Sequence, residues 1–156
     1  MSFFGLDLAQ KGLSLYTIPA AFLMALLPNV YAVSGAGVHY DLCNPRKLQT
    51  SVVADDKLDK IVKARILRAK AASENAFETL GFYSAAVVAA NFAGVDAETV
   101  NLLTLGYIGS RVLYNIIYVR LQDNRSFGPA RSLAWMASIA ITVTLYVKAA
   151  SQLASS

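Results

Sequence analysis

The chain has 156 residues, 56% of them hydrophobic and only 15% charged, where a soluble domain carries about 25% charged residues. That length holds one domain, which excludes a multi-domain enzyme. The net charge of +4 comes without a basic run interleaved with aromatics, so a nucleic acid is not the expected partner.

The charges are clumped. Residues 12–38, 79–95, 99–110 and 132–147 contain no Asp, Glu, Lys or Arg. Packing so many apolar stretches into a soluble sphere would leave too little polar material to cover its surface. Lipid is the better solvent, and helices of about 20 residues cross a hydrocarbon core of about 30 Å. The expected fold is therefore an all-α integral membrane protein, a single domain with four transmembrane helices and short loops.

In chain order, the first span is expected over residues 13–36, with Pro19 and Pro28 kinking it and Gly35-Ala36-Gly37 ending it. The alternative for this segment is a signal peptide behind Lys11, but its uncharged run is longer than a typical apolar core of that kind. A polar loop follows from Tyr40 to about Lys60. His39 reads as a hydrogen-bonded histidine near a helix end, and the single Cys43 excludes an internal disulfide or a multi-cysteine metal site. The second helix begins near Leu58 and spans 64–93, the third spans 97–121 after an Ala93-Gly94-Val95-Asp96 turn, and the fourth spans 129–152.

Loop charge sets the expected orientation. The first connection carries Arg46, Lys47, Lys57, Lys60, Lys63 and Arg65, and the third carries Arg120, Arg125 and Arg131. The other side offers Lys11, Lys148, Asp96 and Glu98. By the positive-inside rule both basic connections face the cytosol and both termini lie opposite.

Charge within a span costs roughly 2.5 to 3.5 kcal/mol per residue at a helix centre and calls for partners. On the second helix Arg68, Asn75 and Glu78 fall along one stripe, and on the third Arg111, Tyr114 and Tyr118 form another. Arg120 and Arg125 lie just beyond the second stripe. Two readings stand: a polar network that glues helices together, or a site for a charged ligand at the cytosolic half of the membrane.

The run from Arg68 to Glu78, with its Asn75-x-x-Glu78 core, resembles the second-helix signature of the MAPEG superfamily, membrane-associated proteins in eicosanoid and glutathione metabolism. Arg111-x-x-Tyr114-x-x-x-Tyr118-x-Arg120 is similar to the third-helix pattern of the leukotriene C synthase type. Arg125 falls where that type carries its thiol-activating arginine, whereas Arg131-Ser132 resembles the Arg-Ser pair of the prostaglandin E synthase type. The resemblance implies a homotrimer in the endoplasmic reticulum or a related membrane, binding glutathione in a cytosol-facing cleft between subunits. Arg68, Asn75 and Glu78 would come from one subunit and Arg111, Tyr114, Tyr118 and Arg120 from the next. Arg125, Arg131 and Tyr118 are the catalytic candidates. Arginine forks suit the two carboxylates of glutathione, Glu78 suits its ammonium group, and a guanidinium beside the thiol favours the nucleophilic thiolate. A lipophilic substrate would arrive from the membrane lipid.

Ala71, Glu74 and Thr79 depart from the family patterns. Besides a glutathione transferase or isomerase, the residues therefore admit a diverged member that presents or converts a lipophilic molecule without glutathione. A small cation exporter built on Glu78 is a third class, disfavoured by the strong loop-charge bias and a first span free of carboxylates.

Overall fold

The computed structural model describes residues 2–3 and 6–155. A two-residue antiparallel pairing near the N-terminus, β1 (Ser2–Phe3) with β2 (Leu6–Asp7), is the one departure from an all-helical chain among the described residues. A 3-10 turn (Leu13–Tyr16) then leads into α1 (Thr17–Ala36). The remaining helices are α2 (Leu48–Ala54), α3 (Lys60–Phe92), α4 (Ala97–Val119) and α5 (Gly128–Ser155).

Local chemistry sets the helix ends. Asp59 caps α3 by accepting from Ile61 and Val62 N–H, both at 3.0 Å. Asp96 caps α4 by accepting from the N–H and hydroxyl of Thr99, each at 2.9 Å. The Thr99 N–H and then its hydroxyl hold the Asp96 carboxyl below the usual carboxylate range. This cap contributes above the unfolded carboxylate pKa and is lost as pH falls through the folded one. Gly37 and Gly94, at φ 52° and 73°, take the left-handed backbone that ends α1 and reverses the chain after α3.

Helix α2 falls inside the segment expected to be a polar loop. Only Leu48 and Val52 are buried on it, one helical turn apart, and they pack on Ala36 and Ile66. Two apolar positions are too few to register as periodicity, yet enough to hold a two-turn helix against the ends of α1 and α3.

The packing is inverted relative to a water-soluble bundle. The buried face of α1 is Ala21, Ala25, Ala32 and Ala36, and that of α3 includes Ala69, Ala72, Ala76, Ala86 and Ala90. Large apolar side chains point outward instead, among them Phe22, Leu27, Phe92, Leu113, Leu133 and Val147. In water that arrangement would squander the hydrophobic effect. In lipid, where tails solvate leucine as well as protein does, small residues at the seam and large ones outside are favoured. Helices α1, α4 and α5, with their flanking turns, are long and apolar enough to cross a membrane. Helix α3 is the longest at 33 residues, but all its charges lie between Lys60 and Glu78.

Several polar side chains in the interior are tied to backbone. Ser73 Oγ donates to the Ala25 carbonyl at 2.8 Å. Asn101 accepts from Ser14 N–H at 2.8 Å and donates to the carbonyls of Leu8 at 2.7 Å and Gln10 at 2.8 Å. Tyr83 and Tyr107 stack with ring centroids 3.5 Å apart, and the Tyr83 hydroxyl meets Thr17 Oγ1 at 2.6 Å. Pro19 falls in the first turn of α1, where no N–H partner is required. Pro28 lies within the helix and leaves the Met24 carbonyl without its intrahelical donor; Asn115 Nδ2 on α4 supplies one at 2.9 Å.

This seam makes a direct prediction. Ala72→Leu forces a larger side chain between α1, α3 and Tyr114 and should cost about 1 to 3 kcal/mol, read as a lower unfolding midpoint in mild detergent. Val147→Ala, on the outward face, should leave the midpoint within about 0.5 kcal/mol equivalent.

Candidate functional site

Helices α3, α4 and α5 converge at the end of the molecule that carries the basic connections. Asn75 from α3, Tyr114 from α4, and Arg131, Ser132 and Trp135 from α5 line one cavity of about 140 Å³. The side chains of α4 continue into a ladder of alternating cations and rings. The Arg111 guanidinium lies 4.5 Å from the Tyr114 ring centre, Tyr114 meets Tyr118 edge-on at 5.5 Å, and Arg131 lies 4.7 Å over Tyr118. The i, i+3, i+7 spacing on α4 produces the first three rungs, and the first turn of α5 supplies the last.

Arg111 is 2% exposed, and its two terminal guanidinium nitrogens have no hydrogen-bond partner among the described residues. A buried cation held only by ring faces is under-satisfied, since pairing of the charged nitrogens is what repays desolvation. The indole N–H of Trp135 is likewise buried and unpartnered. Trp135 and Arg131 line the cavity, and Arg111 lies behind the Tyr114 ring that also lines it, so cationic and N–H donor groups gather at this place. A group bearing carboxylates has the matching chemistry.

The remaining candidates distribute differently. Asn75 donates to the Ala71 carbonyl at 2.9 Å and lines the cavity. Glu78 is exposed on α3 and makes no ion pair or hydrogen bond among the described residues. Arg68 lies two turns before Asn75, and its guanidinium is taken by Asp123 and by the carbonyls of Val119 and Gln122. Arg120 rests 5.2 Å over the Tyr31 ring of α1, and Arg125 is exposed in the link between α4 and α5. Of the two arginines proposed to act on a thiol, the structure brings Arg131 to the cavity and leaves Arg125 outside its lining. The α3 and α4 stripes, which the resemblance divides between neighbouring subunits, meet within one chain through Asn75 and Tyr114.

Sequence reasoning missed Trp135. Its signal was available, because it follows Arg131 by one helical turn and is the chain's single tryptophan. It also missed a larger cavity, about 420 Å³, on the opposite flank of α3 between α1 and α2, whose lining includes Asn29, Tyr40, Arg46, Gln49, Lys70 and Glu74. There Lys70 donates to Asn29 Oδ1 at 3.2 Å and lies 3.7 Å from Glu74, which also accepts from Gln49 at 3.2 Å.

The family model described as MAPEG family matches residues 13–151. The chain belongs to the MAPEG family. No curated protein and no solved structure gives a match. The matched region contains all of α1 to α4 and most of α5, and so every residue of the ladder and its cavity. MAPEG membership and three apolar helices make this an integral membrane protein.

The two arginine environments, Arg111 buried among rings and Arg68 part-buried beside Asp123, predict opposite outcomes. Arg111→Met should leave fold stability unchanged or raise it, because a cation without hydrogen bonds is replaced by an apolar chain of similar length. Arg68→Met should lower stability by about 1 to 3 kcal/mol, because it removes donors from Asp123 and the end of α4. Chemical unfolding of both variants in detergent separates the two.

Proposed function

We propose that this MAPEG protein is a glutathione-dependent transferase or isomerase acting on a lipophilic substrate that reaches the site from the bilayer. The observation that carries this reading is the cavity joining Arg131 and Ser132 to Asn75, Tyr114 and Trp135. Glutathione would supply the thiol nucleophile. Arg131, whose guanidinium is placed over Tyr118 at 4.7 Å, would hold negative charge at that sulfur, while Arg111 and Asn75 meet the polar ends of the tripeptide. One charge-assisted hydrogen bond to the sulfur is worth about 1.5 to 3 kcal/mol, roughly ten- to a hundred-fold in thiolate population.

The arrangement in the membrane follows from the same physics. We read α1, α3, α4 and α5 as four spans of one domain, with both basic connections in the cytosol, both termini opposite, and the endoplasmic reticulum or a related membrane as location. The assembly is a homotrimer. A cavity of 140 Å³ is below the 300 to 1,000 Å³ of ordinary ligand sites, so another wall is required. Glu78, exposed on a helix at membrane depth, also needs cover that one chain lacks. Epitope tags at the two termini should report the same non-cytosolic side, and cross-linking in mild detergent should stop at three subunits. Opposite sidedness would remove the four-span arrangement.

Glu74 supports a second reading. Its carboxylate lies in the larger cavity, held by Lys70 and Gln49, and would repel the carboxylates of glutathione there. A diverged protein that presents or converts a lipophilic molecule without glutathione fits that feature.

Trp135 provides the decisive experiment, since the single indole lines the cavity. Titration with glutathione should change its fluorescence saturably, and ultraviolet absorbance should reveal thiolate. Arg131→Ala should lower the thiolate signal ten- to a hundred-fold at nearly unchanged affinity, and Arg125→Ala should not. A silent indole together with an absent thiolate signal would favour the glutathione-independent reading.

A further inference from the structure

Residues 120–127 connect α4 to α5 and are exposed over most of their length. Their internal hydrogen bonds are short-range: Asn124 N–H to the Leu121 carbonyl at 3.1 Å, Phe127 N–H to the Asn124 carbonyl at 3.2 Å, and Ser126 N–H to Asn124 Oδ1 at 3.0 Å. Such a segment has little reason to stay still. A flexible chain of eight residues has an end-to-end reach of roughly 15 Å, whereas a group that acts on a bound ligand must be held within about 0.5 Å.

One cluster ties the link to α3. Arg65 and Arg68 stand one turn apart on α3, and both donate to Asp123. Arg65 uses Nε at 2.8 Å and a terminal nitrogen on Oδ2, and Arg68 takes Oδ1. Arg68 also donates to the carbonyls of Val119 at 3.3 Å and Gln122 at 3.5 Å, where α4 runs out of intrahelical donors. An isolated surface ion pair is worth little. Here both carboxylate oxygens are engaged, two guanidinium groups share the load, and one of them caps a helix end, which makes the cluster a network.

We propose that Asp123 is a positioning residue for the candidate site: clamped by Arg65 and Arg68, it fixes the link so that α5 begins with Arg131 seated over Tyr118. Asp123 touches no ligand. It acts through the seven residues that separate it from Arg131. Arg68 accordingly serves the site from outside the cavity, by holding the end of α4. The functional part of this proposal rests on the reading of Arg131 as the guanidinium that meets the thiol; the clamp itself does not.

The test uses the full chain in detergent with Asp123→Asn, Asp123→Glu and Arg65→Gln. Amide hydrogen exchange over residues 121–127 and the reactivity of Arg131 toward an arginine-selective dicarbonyl reagent report the clamp. The pH at which bound glutathione shows thiolate absorbance reports its consequence. Asp123→Asn should speed exchange of the link about tenfold or more and raise the reactivity of Arg131. It should also shift thiol ionisation to higher pH with glutathione affinity nearly retained. Asp123→Glu should restore all three, and Arg65→Gln, which spares Arg68, should move each in the same direction by less. The proposal is overturned if Asp123→Asn leaves link exchange and Arg131 reactivity unchanged, or if Asp123→Glu behaves like Asp123→Asn. Should Asp123→Asn fail to fold, Arg65→Gln decides by the same two readouts. Absence of glutathione binding in the unsubstituted protein would defeat the glutathione reading alone, while exchange and Arg131 reactivity still judge the clamp.

Discussion

Ser73 on α3 reaches the Ala25 carbonyl on α1 at 2.8 Å because both helices meet through alanine. That close approach is the constraint from which the rest of the structure follows. In a solvent without hydrogen bonds, each interior polar group must find a partner within the protein, and helices must come near enough for short side chains to serve. The alanine seam supplies the proximity. Ser73 and Thr17 then use it, and large apolar residues are left free to face lipid.

The site departs from that pattern, as do Arg68 Nε, Asn115 Oδ1 and Gln122 Oε1 outside it. Where Asn101 and Ser73 are bonded to backbone, Arg111 has two bare terminal nitrogens and Trp135 a bare N–H. Natural interiors tolerate few such groups, and those that persist gather where a ligand or partner completes them. The aromatic ladder on α4 keeps the cations ordered in the meantime, because ring faces attract a guanidinium without consuming its donors.

Much of the helix layout is legible in single residues. Asp59 and Asp96 announce helix starts, and Gly37 and Gly94 announce ends, because capping and left-handed backbone are local requirements. Helix α2 is not legible, since Leu48 and Val52 gain their meaning only from α1 and α3. The stripe spacing on α4 is local and correctly groups Arg111, Tyr114 and Tyr118. The fate of Arg68 is not local: seven residues from Asn75 it shares a helix face, yet its guanidinium swings to an aspartate 55 positions away. The choice between Arg125 and Arg131 also escapes spacing, because two 3-10 turns intervene between α4 and α5. Trp135 hides because an aromatic within an apolar run looks like a lipid-facing anchor.

Pro28 has a reach beyond its own helix. The carbonyl it frees on Met24 is claimed by Asn115, the neighbour of Tyr114. Successive residues on a helix differ by about 100° around the axis. Keying Asn115 to α1 therefore sets the rotation of α4, and with it the direction in which the phenol of Tyr114 and the guanidinium of Arg111 are turned. The missing N–H of one proline thus serves as an angular reference mark, read by a helix that is not its sequence neighbour and passed on to the ladder.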